Sequence, residues 1–417
     1  MLRKFSAQEK GWIMYDWANS AFSAIVSATL LPIFFGLLSS RAGVDEVTSL
    51  AYWGNATSVG TLVCAVLAPF LGALGDFPGY KKRLFACFVV LGVLGTALLA
   101  VTGSWKVLLG FYIVANIGFH GSGLFYDSFL NDVTTPDRMD MVSTYGYGMG
   151  YIGGSTIPLV IALAMLQFGE GIGITQEFTL RFSFVMTAVW WIAFTWPMLR
   201  DVKQLHSVPR ERAVVRQTLR NIGRTAGQIM KHRGLLWFLI AYFFYIDGVG
   251  TIISMATIFG ASVGLPGTNM VFVLMVVQLV AFPCAILYGI LAKKVGARTM
   301  ILVGIGTYLV VCVVGLFLKT MTDFLILGAL VGTAQGGIQA LSRSYFGKLV
   351  PNERASEFFG FFDVFGKFSA VLGPALFALV ATLTGRPHPG VAAVAAMFII
   401  GGAIFLFLVP KEQQRAA

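Results

Sequence analysis

Hydrophobic residues in this chain gather into twelve long runs. They lie near residues 12–38, 50–74, 84–102, 105–130, 143–167, 178–199, 235–261, 269–291, 298–318, 322–346, 357–382 and 390–410, and the charged residues fall almost entirely in the gaps. Each run has about 18 residues or more with few or no charges, the length a helix needs to cross roughly 30 Å of hydrocarbon. The pattern predicts an all-α integral membrane protein with twelve transmembrane helices. The only long hydrophilic stretch separates the sixth run from the seventh. It divides the chain into an N-terminal six-helix bundle (1–199), a linker (200–233) and a C-terminal six-helix bundle (234–417).

The halves echo each other. The stretch from Gly72 through Asp76 and Gly79 to Lys81, Lys82 and Arg83 is answered by Gly289, Lys293, Lys294, Gly296 and Arg298. The fourth run ends at Pro136 and Arg138, the tenth at Pro351 and Arg354, with the prolines 215 residues apart. Two six-helix repeats facing a central cavity are the arrangement secondary transporters use for alternating access.

Composition and charge refine this picture. At 57% hydrophobic and 12% charged, the chain lacks the polar surface a water-soluble protein of this size needs. The net charge of +11 could suggest nucleic acid, but its placement argues against that partner. With the N-terminus inside, the inner loops and tails carry 24 Lys and Arg, the outer loops carry Arg41, Lys106, Arg181, Lys319 and Arg386, and Lys367 lies within a run. The positive-inside rule therefore predicts a multi-pass protein with both termini cytoplasmic, and a bacterial-type inner membrane is its expected location. The first run is too long for a signal-peptide core and is expected to stay in the membrane. Cys64, Cys87, Cys284 and Cys312 all lie inside apolar runs, without metal-ligand spacing, and read as packing residues.

Within the linker, Arg212, Arg216, Arg220 and Arg224 recur every four residues, and Val215, Leu219, Ile222, Ala226 and Ile229 every three or four. This is a basic amphipathic helix, suited either to lie on an anionic inner leaflet or to serve as a solvated link between bundles. Gly146, Gly150 and Gly154, and likewise Gly328, Gly332 and Gly336, recur every four residues and read as helix-packing faces.

Ionisable and amide groups at membrane depth are expensive and so mark candidate substrate or coupling sites. Asn116, His120 and Asp127 share one face of the fourth run; Gln335, Gln339 and Arg343 share one face of the tenth. Two such stripes facing a shared cavity would supply substrate hydrogen bonds; the plainer reading is bonding between helices. His120 can change charge near physiological pH and so suits proton coupling. Asp247 falls near the middle of the seventh run beside Gly248 and Gly250, where local unwinding would expose ligand-binding backbone. Asp363 and Lys367 are four apart on the eleventh run and read as a neutralising pair or a switch. Asp16 near the start of the first run reads as a gate contact. No phosphate-binding loop, metal-ligand cluster or nucleophile elbow appears, so no enzyme activity, metal or cofactor is expected.

The stretch Gly72–Lys82 reads G-x-x-x-D-x-x-G-x-K-K and resembles the signature loop of the major facilitator superfamily. The resemblance implies a cytoplasmic gate. Gly72 allows close helix approach, Asp76 accepts hydrogen bonds from a helix N-terminus in the other half, Gly79 makes the turn, and Lys81 and Lys82 supply charge partners. Arg343 joins the gate set from the tenth run. Family members usually carry a basic residue where Phe77 stands, so one contact departs from the pattern. Tyr15–Ser20, Tyr245–Gly250, Gly336–Ser344 and Glu357–Lys367 together resemble the vacuole-effluxer-like branch of that superfamily, which includes the fungal autophagy-related amino-acid effluxer. The resemblance implies a secondary active transporter of the major facilitator fold, moving a small organic solute, with amino acids the first expectation, export favoured over import and the proton the candidate coupling ion. Membrane lipids are its surroundings and a monomer is expected. The alternative is a lipid or lysolipid flippase or scramblase on the same scaffold.

Overall fold

The computed structural model describes residues 2–209, 214–265 and 267–410, among which there is no β-strand. Arg210, Arg212, Lys411 and Arg415 of the charge pattern lie outside the described residues. Eleven helices are long and apolar enough to cross a membrane: α1 (Ala7–Arg41), α2 (Glu46–Gly75), α4 (Trp105–Val133), α5 (Met139–Phe168), α6 (Gln176–Asp201), α7 (Arg233–Ser262), α8 (Phe272–Val295), α9 (Ala297–Leu316), α10 (Met321–Leu349), α11 (Asn352–Thr384, opening on a 3-10 turn) and α12 (His388–Phe407). The remaining hydrophobic run forms α3 (Tyr80–Leu98), which opens on Lys81, Lys82 and Arg83 and so carries more charge at its start. A linker helix covers Val214–Lys231.

The sequence places these helix ends locally. Ser6 and Glu9 form a capping box that satisfies free N–H groups at the start of α1, and Thr320 and Asp323 do the same for α10. Asp45 and Thr175 cap α2 and α6 through single side-chain bonds. Gly79 (φ 74°) and Gly296 (φ 88°) occupy equivalent turns of the two repeats, before α3 and α9. Both adopt a left-handed backbone that a side chain would strain.

Lipid is as apolar as leucine, so helices associate through close packing and small residues. A Cβ added at Gly150 would lie 2.7 Å from Ser20 Oγ, and one at Gly154 would lie 2.6 Å from Ser20 Cβ. In the other half, Gly328 and Gly332 admit Val273 and the Val277 carbonyl in the same way. Trp12, Tyr15 and Trp191 are fully buried, whereas Val66, Leu94, Val313 and Ile399 stay exposed where acyl chains can cover them. Two stretches wind more widely than an α-helix, Phe22–Leu30 in α1 and Gly150–Thr156 in α5. In each a threonine hydroxyl donates to the carbonyl five residues earlier, Thr29 to Ala24 (2.7 Å) and Thr156 to Tyr151 (2.8 Å).

The described chain forms two compact units. One comprises residues 1–134, 149–214 and 352–360; the other comprises 135–148, 215–351 and 361–417. Each unit thus includes one short segment from the opposite half of the sequence.

Candidate functional site

In the first unit the site is built around the end of α2. The Asp76 carboxylate accepts backbone N–H bonds from Ser356 and Glu357, both at 2.9 Å, in the first turns of α11. The positive end of a helix dipole favours an anion there. Asp76 is buried, and burial pushes its carboxyl up to about 7, against the pull of nearby Lys81 and the two N–H groups. Gly72 makes the approach possible, since a Cβ would fall 2.2 Å from the Ser356 carbonyl oxygen. Ser128 Oγ of α4 lies 3.1 Å from Ser356 Oγ, and Asn131 donates to Asn352 at 2.8 Å.

The two lysines part company. Lys81 pairs with Asp132 at 2.8 Å, both side chains fully buried, while Lys82 donates to the Val202 carbonyl at 2.7 Å. The linker's first residues form a strap over the loop. Asp132 Oδ1 accepts the backbone N–H groups of Leu205 and His206 at 2.9 Å and sits 3.1 Å from the His206 ring. Gln204 donates to the carbonyls of Gly75 and Phe77, and Val208 N–H donates to the Asp76 carbonyl. Phe77 is buried, and its backbone is bound by the strap. Asp132, Gln204 and His206 carry no motif signal, because they lie tens of residues from the loop they bind.

In the second unit the matching place is built differently. Gly289 faces Thr144, where a Cβ would lie 2.0 Å from its hydroxyl. Lys293 stands where Asp76 stands in the first half, and Asp140 supplies the acid. It accepts from Ser344 Oγ and pairs with Lys348 Nζ, both at 2.6 Å. Arg343 donates to the Ser143 hydroxyl (3.0 Å) and carbonyl (3.1 Å) and lies over the Tyr147 ring. Asp140 lies far along the chain from the loop motif, which did not reveal it.

The membrane-depth groups divide between the units. In the first, Asn116 donates to Tyr112 Oη at 3.2 Å, and its Oδ1 is buried without a hydrogen-bond partner among the described residues. His120, with its ring 5.3 Å from that of Phe119, and Asp127 are half-buried on the same helix. Asp16 is buried and accepts from Tyr126 Oη at 2.6 Å. In the second, Gln339 donates to the Gln335 carbonyl one turn back. Asp363 and Lys367 form an ion pair within α11. Asp247 is fully buried. Its Oδ1 accepts the Gly373 N–H at 2.9 Å, and its Oδ2 has no hydrogen-bond partner among the described residues. A Cβ at Gly373 would fall 2.6 Å from that carboxylate. One turn further, Thr251 opens onto an apolar cavity lined also by Met255, Phe259, Cys312, Leu327 and Val394.

Known proteins share this architecture. The chain is 45% identical to an uncharacterised MFS-type transporter, YxiO, of Bacillus subtilis strain 168, over 99% of this chain and 97% of that one. It is 22% identical to autophagy-related protein 22-1 of Emericella nidulans, over 91% of this chain and 86% of the relative. The fold matches the major facilitator superfamily transporter FucP in its outward conformation with a TM-score of 0.73 at 11% identity, covering 98% of this chain and 99% of FucP. Residues 43–417 match the family model described as vacuole effluxer Atg22 like; the chain is a multi-pass membrane transporter belonging to that family.

Proposed function

We propose that this chain is a proton-coupled secondary carrier that exports a small organic solute, amino acids first, from a cell whose inner membrane holds both its termini on the cytoplasmic side. The observation that carries the reading is Asp247. A carboxylate buried in a membrane helix with one backbone donor and one oxygen that has no hydrogen-bond partner among the described residues is costly when ionised and unpaired. A proton relieves that cost, so loading and unloading it changes which arrangement of the surrounding helices is favoured. Export as the direction is taken from the effluxer family, and amino acids as the solute from the sequence resemblance to the fungal amino-acid effluxer. Asn116, His120, Asp127, Gln335 and Gln339 are the proposed substrate-contacting or coupling groups, with Asp363 and Lys367 as a neutralised pair that solute or proton can open. Asp76, with Gly72, Gly79, Lys81, Lys82, Asp16 and Arg343, is proposed to hold the cytoplasmic side closed.

The test uses purified protein in liposomes loaded with amino-acid mixtures under an imposed pH gradient. Gradient-driven flux is expected in the wild type and lost in Asp247→Asn, which should still exchange solute for solute. Unchanged gradient-driven flux in Asp247→Asn removes it from coupling. Gradient-driven movement of a fluorescent phospholipid with no amino-acid flux would favour the flippase reading.

A further inference from the structure

The linker helix turns the wrong side inward for a solvated link. At 3.6 residues per turn, Gln217, Thr218, Asn221 and Thr225 form one face, Val215, Leu219, Ile222 and Ala226 a second, and Arg216, Arg220 and Arg224 a third. The polar face is buried, with Ile229 at the end of the apolar stripe, whereas Val215, Leu219 and Met230 are exposed and Ile222 and Ala226 half-buried. The three arginines are exposed as well. A helix that merely bridged two bundles through water would bury its apolar stripe and present its polar one. The helix is also held at the mouth of a membrane span: Lys231 is followed by His232, whose ring caps the first turn of α7 by accepting the Leu235 N–H at 3.2 Å. A helix at that level, with an apolar flank beside a basic flank, fits the boundary where acyl chains meet lipid phosphates.

We propose that the linker helix Val214–Lys231 is an interfacial binding surface for anionic phospholipid, its Val215/Leu219 flank in the acyl region and its arginines on the headgroup phosphates. The proposal stands whatever solute the carrier moves. A basic residue at an anionic surface favours binding about fivefold, so three arginines together confer roughly a hundredfold preference for anionic over zwitterionic lipid, which salt screens.

Full-length protein in nanodiscs of phosphatidylcholine, with or without phosphatidylglycerol, supplies the test. Phosphatidylglycerol should raise the unfolding temperature of the wild type, and high salt should erase most of the rise. The triple variant Arg216→Gln, Arg220→Gln, Arg224→Gln should lose most of the rise while matching the wild type in phosphatidylcholine. The corresponding lysine variant should keep it. Should the glutamine variant not fold, the wild-type salt titration decides by itself, and a salt-independent rise overturns the proposal. An undiminished rise in the glutamine variant overturns it too. So would a dimer in phosphatidylcholine that Leu219→Asn dissociates, which would assign the apolar flank to a second copy of the chain.

Discussion

Asp76 has the hydrogen bonds of an ionised carboxylate and the burial of a neutral one. Two N–H groups at 2.9 Å favour the charge; desolvation opposes it and pushes the carboxyl from its ordinary 3.8 up to about 7. Between those values the folded arrangement holds a proton that a solvated or unfolded Asp76 does not. Where the native state binds the extra proton, stability falls as pH rises, here by at most about 1.4 kcal/mol per pH unit. The unfolding temperature of the wild type should therefore drop between mildly acidic and mildly alkaline buffer. Asp76→Asn should show a flatter profile. It should also be less stable in acid, because an amide leaves one of the two N–H groups without an acceptor, a cost of about 1–3 kcal/mol. Parallel profiles for the two proteins would show that Asp76 does not titrate in this range.

At the scale of elements, the seam between α1 and α5 is closed through glycine. The widened turns of Phe22–Leu30 and Gly150–Thr156 lie along it, and wide turns of this kind recur at functional places in helices. A Cβ at Gly154 would meet the Trp17 carbonyl oxygen at 2.7 Å and Ser20 Cβ at 2.6 Å. These atoms belong to a helix backbone and a short side chain, neither of which can swing away. Gly154→Ala should destabilise the protein by about 1–3 kcal/mol through overpacking. Gly123, also helical, has nothing within 4 Å of such a Cβ. Gly123→Ala should be neutral or stabilising by up to about 1 kcal/mol, as alanine is the better helix former. Thermal unfolding in detergent compares the two; equal effects would mean that Gly154 is not at a close contact. The strap at Val202–Val208 is the other element with its own logic, since it ties the linker's start to the loop that holds Asp76.

At the scale of the whole molecule, residues 352–360 belong to one compact unit while α11, which they open, continues into the other. In a carrier that works by alternating access, such a fastening has to release in each cycle. Ser128 and Ser356, with hydroxyl oxygens 3.1 Å apart, are close enough for a disulfide if both become cysteine. Oxidising the variant Ser128→Cys, Ser356→Cys should stop flux in liposomes, and reduction should restore it, with the oxidised wild type as control. Full flux with the disulfide verified would show that the fastening is static.

The pattern of apolar runs alone determined that this chain is an all-helical membrane protein; it placed the runs along the chain to within several residues, and eleven of them form described helices long and apolar enough to cross a membrane. In a bilayer every backbone group must bond within its own segment, so an apolar run of sufficient length has one solution, a helix. The pairing of Asp363 with Lys367 was legible for the same reason, both lying within one helix four residues apart. The tertiary structure alone decided the partners across helices. Asp132 holds Lys81 and His206, Asp140 holds Lys348, Lys82 turns to the linker, and Asp247 meets Gly373. Such pairings depend on how each helix is rotated about its axis. A membrane helix apolar on nearly every side carries no stripe that reports which face turns inward. The linker helix does carry such stripes, yet only the fold showed that its polar face is the one covered.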